Sequence, residues 1–165
     1  MKISETVEYP AAPDEVFSML TDERFQARKC EEAGSLSHDV AVSQNGGSTR
    51  VVTKRDLPTQ DMPDFAKSLI GPRVTITETY EWAAPNGDGS RTGDLTVVLG
   101  GAPVTLRAKL GLKPSGAGTS MSLDGDLKAS VPLIGGKIEK TAAPAIVDGI
   151  RSESSVARAW LAGDR

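Results

Sequence analysis

The sequence predicts an α+β fold: a curved seven-stranded antiparallel sheet with two short helices and a long C-terminal helix enclosing a pocket. Two observations carry the sheet and the long helix that covers it. Through most of residues 36–131 apolar side chains recur at every second position, which leaves one face of each strand apolar and the other wet. That is the mark of an antiparallel sheet with one covered side. After Pro132-Leu133-Ile134-Gly135-Gly136 the period changes to about 3.6 and a single apolar stripe begins, as an amphipathic helix covering that side requires. The 165 residues suit one domain over 1–165, with no repeat or linker to divide them.

Each element has its own signal. In Lys2 to Tyr9, Ile3, Val7 and Tyr9 share a face with Glu5 among them, the pattern of a half-buried strand. Pro10 and Pro13 end it, and Pro13 suits the first turn of a helix, where a missing N–H costs nothing. Asp14 and Glu15 favour that helix's positive end, and Val16, Phe17, Met19 and Leu20 form its stripe. Thr21-Asp22 caps a second helix from Glu23 to about Ala33, anchored by Phe25 and stopped by Gly34.

Leu36, His38, Val40 and Val42 then share one face of a strand. Asn45-Gly46-Gly47 turns it into a hairpin, because Asn and Gly tolerate the positive φ of a primed turn, and the return strand runs from about Thr49 to Leu57. The proline-bounded segment 58–72 has room for a short helix at Asp64 to Ile70. Four strands follow, at Arg73–Trp82, Arg91–Leu99, Val104–Lys113 and Thr119–Val131. The clearest sets Val104, Leu106, Ala108, Leu110 and Leu112 on one face. Gly93, Gly111 and Gly125 are the places where a bulge would break the alternation. In the final helix Ile138, Ala142, Ile146, Ile150, Ala157 and Trp160 make the stripe, while Glu139, Lys140, Asp148, Arg151 and Glu153 fall largely away from it. Pro144 predicts a kink or a fresh helix start there.

Composition removes several classes of function. A net charge of −3, with acids and bases mixed and seven scattered aromatics, lacks the basic stripe and stacking platform of a nucleic-acid binder. One cysteine and one histidine cannot assemble a Cys/His zinc set, so no metal is expected. No GxSxG, GxGxxG, GxxxxGK, HExxH or CxxC is present, so neither a cofactor nor a catalytic residue is predicted. The N-terminus has no apolar leader core and no later run is long enough to span a bilayer, which reads as cytoplasmic with no membrane insertion. Cys30 has basic neighbours that would lower a thiol pKa, against the plainer reading of a small residue on a helix that caps the sheet.

The segment Glu8-Tyr9-Pro10-Ala11-Ala12-Pro13-Asp14-Glu15-Val16-Phe17, together with the element order, resembles the START-like superfamily, also called SRPBCC or helix-grip. More narrowly, Val131-Pro132-Leu133-Ile134-Gly135-Gly136-Lys137-Ile138-Glu139 resembles a bacterial family within it whose function is not established. The resemblance implies a deep cavity between sheet and final helix that takes lipids, sterols, polyketides or other apolar ligands. It carries over no catalytic residue.

On that frame Leu95, Val97, Leu106, Leu110, Met121, Leu123, Ile146 and Ile150 are expected to line the pocket. Strand parity also turns four polar side chains inward: Glu5, His38, Arg55 and Glu78. A two-residue loop at Gly46-Gly47 sets His38 opposite Arg55; a loop one residue earlier at each end sets it opposite Thr53. The resemblance makes the first two strands neighbours, which would bring Glu5 to His38. These four either pair structurally at the sheet ends or form a polar end that orients a ligand. Three functions remain: a binding or transfer protein for a small hydrophobic molecule, a cyclase or hydrolase using the inward polar groups, and a protein-interaction module. The second needs at least two of the four converging on an open cavity, and the third needs an exposed apolar patch.

Overall fold

The structure is a computed structural model describing residues 1–165. The chain order is β1 (Lys2–Tyr9), α1 (Pro13–Leu20), α2 (Glu23–Glu32), β2 (Ser37–Asn45), β3 (Ser48–Pro58), α3 (Asp64–Ile70), β4 (Arg73–Trp82), β5 (Arg91–Leu99), β6 (Val104–Ser115), β7 (Gly118–Ala129) and α4 (Gly135–Leu161). All seven strands form one antiparallel sheet in the order β1-β7-β6-β5-β4-β3-β2. The expected α+β architecture is present.

Local chemistry explains the helix starts. Pro13 opens α1 with Asp14 and Glu15 in the first turn. Asp22 caps α2 by accepting from the Arg24 N–H at 2.8 Å. The β2–β3 hairpin turns through Gly46-Gly47, with Asn45 opposite Ser48 and Gly46 at φ +63°. Its register places His38 opposite Arg55.

Two expectations are corrected here. β1 and β2 are not neighbours: β1 closes on β7 while β2 stands at the far edge, with α1 and α2 joining the two edges. Glu5 therefore lies opposite Leu123, well away from His38 in the sheet. Nor do the strand glycines make bulges, since the ladders run unbroken through Gly93, Gly111 and Gly125. They permit close approach instead. A Cβ on Gly125 would stand 2.7 Å from the Ala108 Cβ and 2.8 Å from the Arg107 carbonyl, so the sheet coils tightly there at the cost of a side chain.

The apolar core lies between the sheet and the second half of α4. Val16, Met19, Phe25, Ala157 and Trp160 pack there against the strands, with Phe25 and Trp160 edge to face at 5.6 Å. Leu36, expected inward, is 58% exposed, since it lies in the turn between α2 and β2, ahead of the first residue of that edge strand.

Toward its N-terminus α4 behaves differently. It runs unbroken through Pro144, so no fresh helix begins there. Yet no residue between Ile138 and Ser154 is buried, although Ala142, Ile146 and Ile150 face the sheet. α3 likewise has no buried residue. These two segments cover a space they do not fill.

Candidate ligand-binding site

That space is a cavity of about 600 Å³, inside the ~300–1,000 Å³ range of small-molecule sites. Its floor is built on cross-strand pairs: Val97 opposite Leu106, Leu106 opposite Leu127, and Leu110 opposite Leu123, with Leu95 beside them. Of its 41 lining residues 29 are hydrophobic, so a wholly polar solute would lose its hydration there for little return. Leu95, Val97, Leu106, Leu110, Met121, Leu123, Ile146 and Ile150 all line it. Leu95, Leu106, Leu110 and Leu123 are its buried floor, while Val97, Met121, Ile146 and Ile150 keep part of their surface free.

The roof is α3 and the first half of α4. Phe65, Ala66 and Leu69 face the cavity from α3, and Lys137 of α4 sets its ammonium 4.4 Å from the Phe65 ring. The outer face of the sheet carries a broader depression, but it is open and lined by alternating charges such as Lys109 and Asp94. That is an ordinary solvated sheet surface.

One end of the cavity is charged. Arg55 Nη2 donates to Glu78 Oε1 at 2.7 Å, and Lys29 Nζ donates to Glu78 Oε2 at 3.2 Å. Lys29 also meets Glu153 Oε2 at 3.3 Å, and Arg55 Nη2 lies 3.8 Å from Glu153 Oε1. Thr53 and Tyr80 donate their hydroxyls to Glu78 Oε2, each at 3.3 Å. Two cations and two carboxylates from α2, β3, β4 and α4 thus form one neutral cluster. Burial alone would raise the Glu78 carboxyl, but Lys29 and Arg55 outweigh it and hold the group at about 2. Burial pushes the Glu153 carboxyl up, and Lys29 and Arg55 only partly offset this. Burial opposes the Lys29 charge too, yet Glu153 and Glu78 keep that amine well above its usual value.

All four polar residues assigned inward by parity lie on the helix side, but only two reach the cavity. Arg55 and Glu78 line it. Glu5 and His38 do not, which corrects their assignment as ligand contacts. Glu5 sits on the β1 edge beside the α4 Arg151 at 3.8 Å. His38 sits on the opposite edge strand, 3.9 Å from Glu31 of α2. The sheet's two ends carry them past the cavity walls.

Two members of the cluster escaped the sequence reading. Glu153 was set away from the α4 stripe, yet it follows Ile150 by three and precedes Ala157 by four, which is the stripe's own spacing. Lys29 follows Phe25 by four and so shares the inward face of α2. Cys30 is buried beside Arg55, and burial pushes its thiol up rather than down, so it is no activated nucleophile.

A curved antiparallel sheet closed by a long C-terminal helix over an apolar cavity defines a START-like fold. The chain belongs to the family described as protein of unknown function DUF2505, whose model matches residues 4–161. No curated protein matches it in sequence. Among solved structures it is similar to TTHA0849 from Thermus thermophilus, at 17% identity and TM-score 0.65, covering 99% of each chain. It is also similar to a STAR-related lipid transfer protein from Xanthomonas axonopodis, at 15% identity and TM-score 0.59, covering 95% of this chain and 85% of that one. The Zhui aromatase/cyclase from Streptomyces sp. R1128 matches at 12% identity and TM-score 0.56, covering 100% of this chain and 99% of the other. At these identities the likeness is one of fold.

Proposed function

We propose that the chain binds and carries a small hydrophobic molecule, lipid-like or polyketide-like, between the sheet and α4. The observation that carries this reading is the cavity itself: an apolar floor of about 600 Å³ under a roof of half-buried residues. A fold spends stability to keep such a space, because unfilled apolar volume forfeits packing contacts. The names of two structural neighbours, a lipid transfer protein and an aromatase/cyclase, support an apolar ligand by analogy of fold. A cyclase-type reading has one observation in its favour, since Glu153 lines the cavity with a raised carboxyl pKa, as a general acid would need. Glu78 does not suit that role, being locked as a carboxylate by two cations.

The test is a filled cavity. Leu110→Trp puts an indole on the floor, and it abolishes binding of N-phenylnaphthylamine while the circular dichroism spectrum stays that of the wild type. Unchanged probe affinity in a folded variant removes the central cavity as the binding site. Native mass spectrometry of protein purified from its own host then identifies the natural ligand.

A further inference from the structure

We infer that Arg55 is the head-group donor of this cavity, and that the ligand meets it with an uncharged carbonyl oxygen. The inference rests on the proposed function above and narrows the ligand to an apolar molecule carrying a ketone or ester.

The argument begins with what each polar atom already holds. A guanidinium carries five N–H donors. In Arg55, which is nine-tenths buried and lines the cavity, Nη2 is engaged with Glu78 and Glu153 while Nε and Nη1 have no hydrogen-bond acceptor. The neighbouring Cys30 sulfur is a weak acceptor at best. Leaving buried donors unpaired is costly, because they have given up their hydrogen bonds to water and gained none in return. Lys29 has no such surplus, because Glu78, Glu153 and Tyr80 surround its ammonium at 3.2–3.3 Å. Both Glu78 oxygens are also taken, Oε1 by Arg55 and Oε2 by Lys29, Thr53 and Tyr80. The cluster therefore has donors to spare beside the cavity and asks for an acceptor.

Charge decides which acceptor. Lys29 and Arg55 already balance Glu78 and Glu153, so a carboxylate head would bury one net negative charge with no cation left to pair it. A hydroxyl needs an acceptor for its own proton. Beside Arg55 no carboxylate oxygen is free for it, since Glu78 and Glu153 already face Arg55 and Lys29. The buried acceptor left unpaired in the lining, Gln26 Oε1, makes no contact with the cluster, and its amide nitrogen is committed to the Leu20 carbonyl at 2.7 Å. A carbonyl oxygen accepts from Arg55, donates nothing and adds no charge.

The test compares matched ligands as competitors of N-phenylnaphthylamine: methyl nonyl ketone, undecane, the corresponding secondary alcohol, and undecanoic acid at neutral pH. Arg55→Lys keeps a cation beside Glu78 and removes the spare Nε and Nη1 donors. The ratio of ketone to undecane affinity falls about tenfold or more in R55K relative to wild type, the value of a hydrogen bond to a charged group. Taking this ratio cancels differences in aqueous solubility. A ratio that does not move overturns the inference, as does a drop for the acid or the alcohol as large as that for the ketone. If R55K does not fold, the infrared carbonyl band of isotope-labelled ketone bound to wild type decides. A shift to lower frequency marks the hydrogen bond, and a band at its hydrocarbon-solvent position overturns the assignment. Failure of the neutral probe and of undecane to bind wild type at all is a different result, and it removes the proposed function itself.

Discussion

Arg55 and Glu78 join β3 to β4 at 2.7 Å even though neither lies opposite the other, since the register sets Arg55 against Ile76 and Glu78 against Thr53. The contact is the diagonal one available to long side chains on one face of a sheet. Glu78 is the hub, touched by Lys29, Arg55, Thr53 and Tyr80. Glu78→Gln leaves two buried cations underpaired and lowers stability by about 3–5 kcal/mol in urea unfolding. Glu153→Gln removes a carboxylate with longer contacts and a quarter of its side chain exposed, and costs within about 1 kcal/mol. Equal losses in the two variants would show that Glu78 is not the hub.

The same carboxylate sets the acid limb of stability. Its value in the folded chain is about 2, below the ordinary 4.5, so its contribution is fully present above pH 4.5 and is lost as pH falls toward 2. Glu153 shifts the opposite way, so its protonation adds stability as pH falls toward 4.5, above the window in which Glu78 is lost. The unfolding free energy of the wild type from urea titrations drops between about pH 4.5 and 2, by on the order of 3 kcal/mol from Glu78. In Glu78→Gln this part of the drop is absent. A mutant profile parallel to that of the wild type would refute the assignment.

Glycine substitutions report on sheet curvature. Gly125→Ala places a methyl 2.8 Å from the Arg107 carbonyl, and backbone must move, so it costs about 1–3 kcal/mol. Gly149→Ala meets open space at an exposed position on α4 that borders the cavity, and stabilises by roughly 0.5–1 kcal/mol through helix propensity. Thermal melts of the two variants shift in opposite directions.

Hydrogen exchange tests the roof. α3 and the first half of α4 bury little, whereas Ser154, Ala157 and Trp160 anchor the rest of the helix. Amides of 133–143 and 60–70 exchange much faster than those of 150–160, and they slow when N-phenylnaphthylamine is added. Equal protection on both sides of Pro144, indifferent to the probe, would leave the proline as nothing more than a bend that follows the sheet.

The alternation of residues 36–131 and the later change of period determined the strands, the long helix and every apolar residue named for the cavity wall, because one buried face imposes a period on the chain. It also settled which side Arg55 and Glu78 take, since side chains on a strand have only two faces to choose between. Parity says nothing about position along a face, so it could not tell Arg55, over the cavity, from Glu5 and His38, at opposite edges of the sheet. That distinction came from strand order, a product of how β1 closes on β7 after two intervening helices. The joining of Lys29 and Glu153 was likewise decided only in three dimensions. They lie on helices far apart in sequence, and the cost of burying each charge is met only where β3 and β4 bring Arg55 and Glu78 between them.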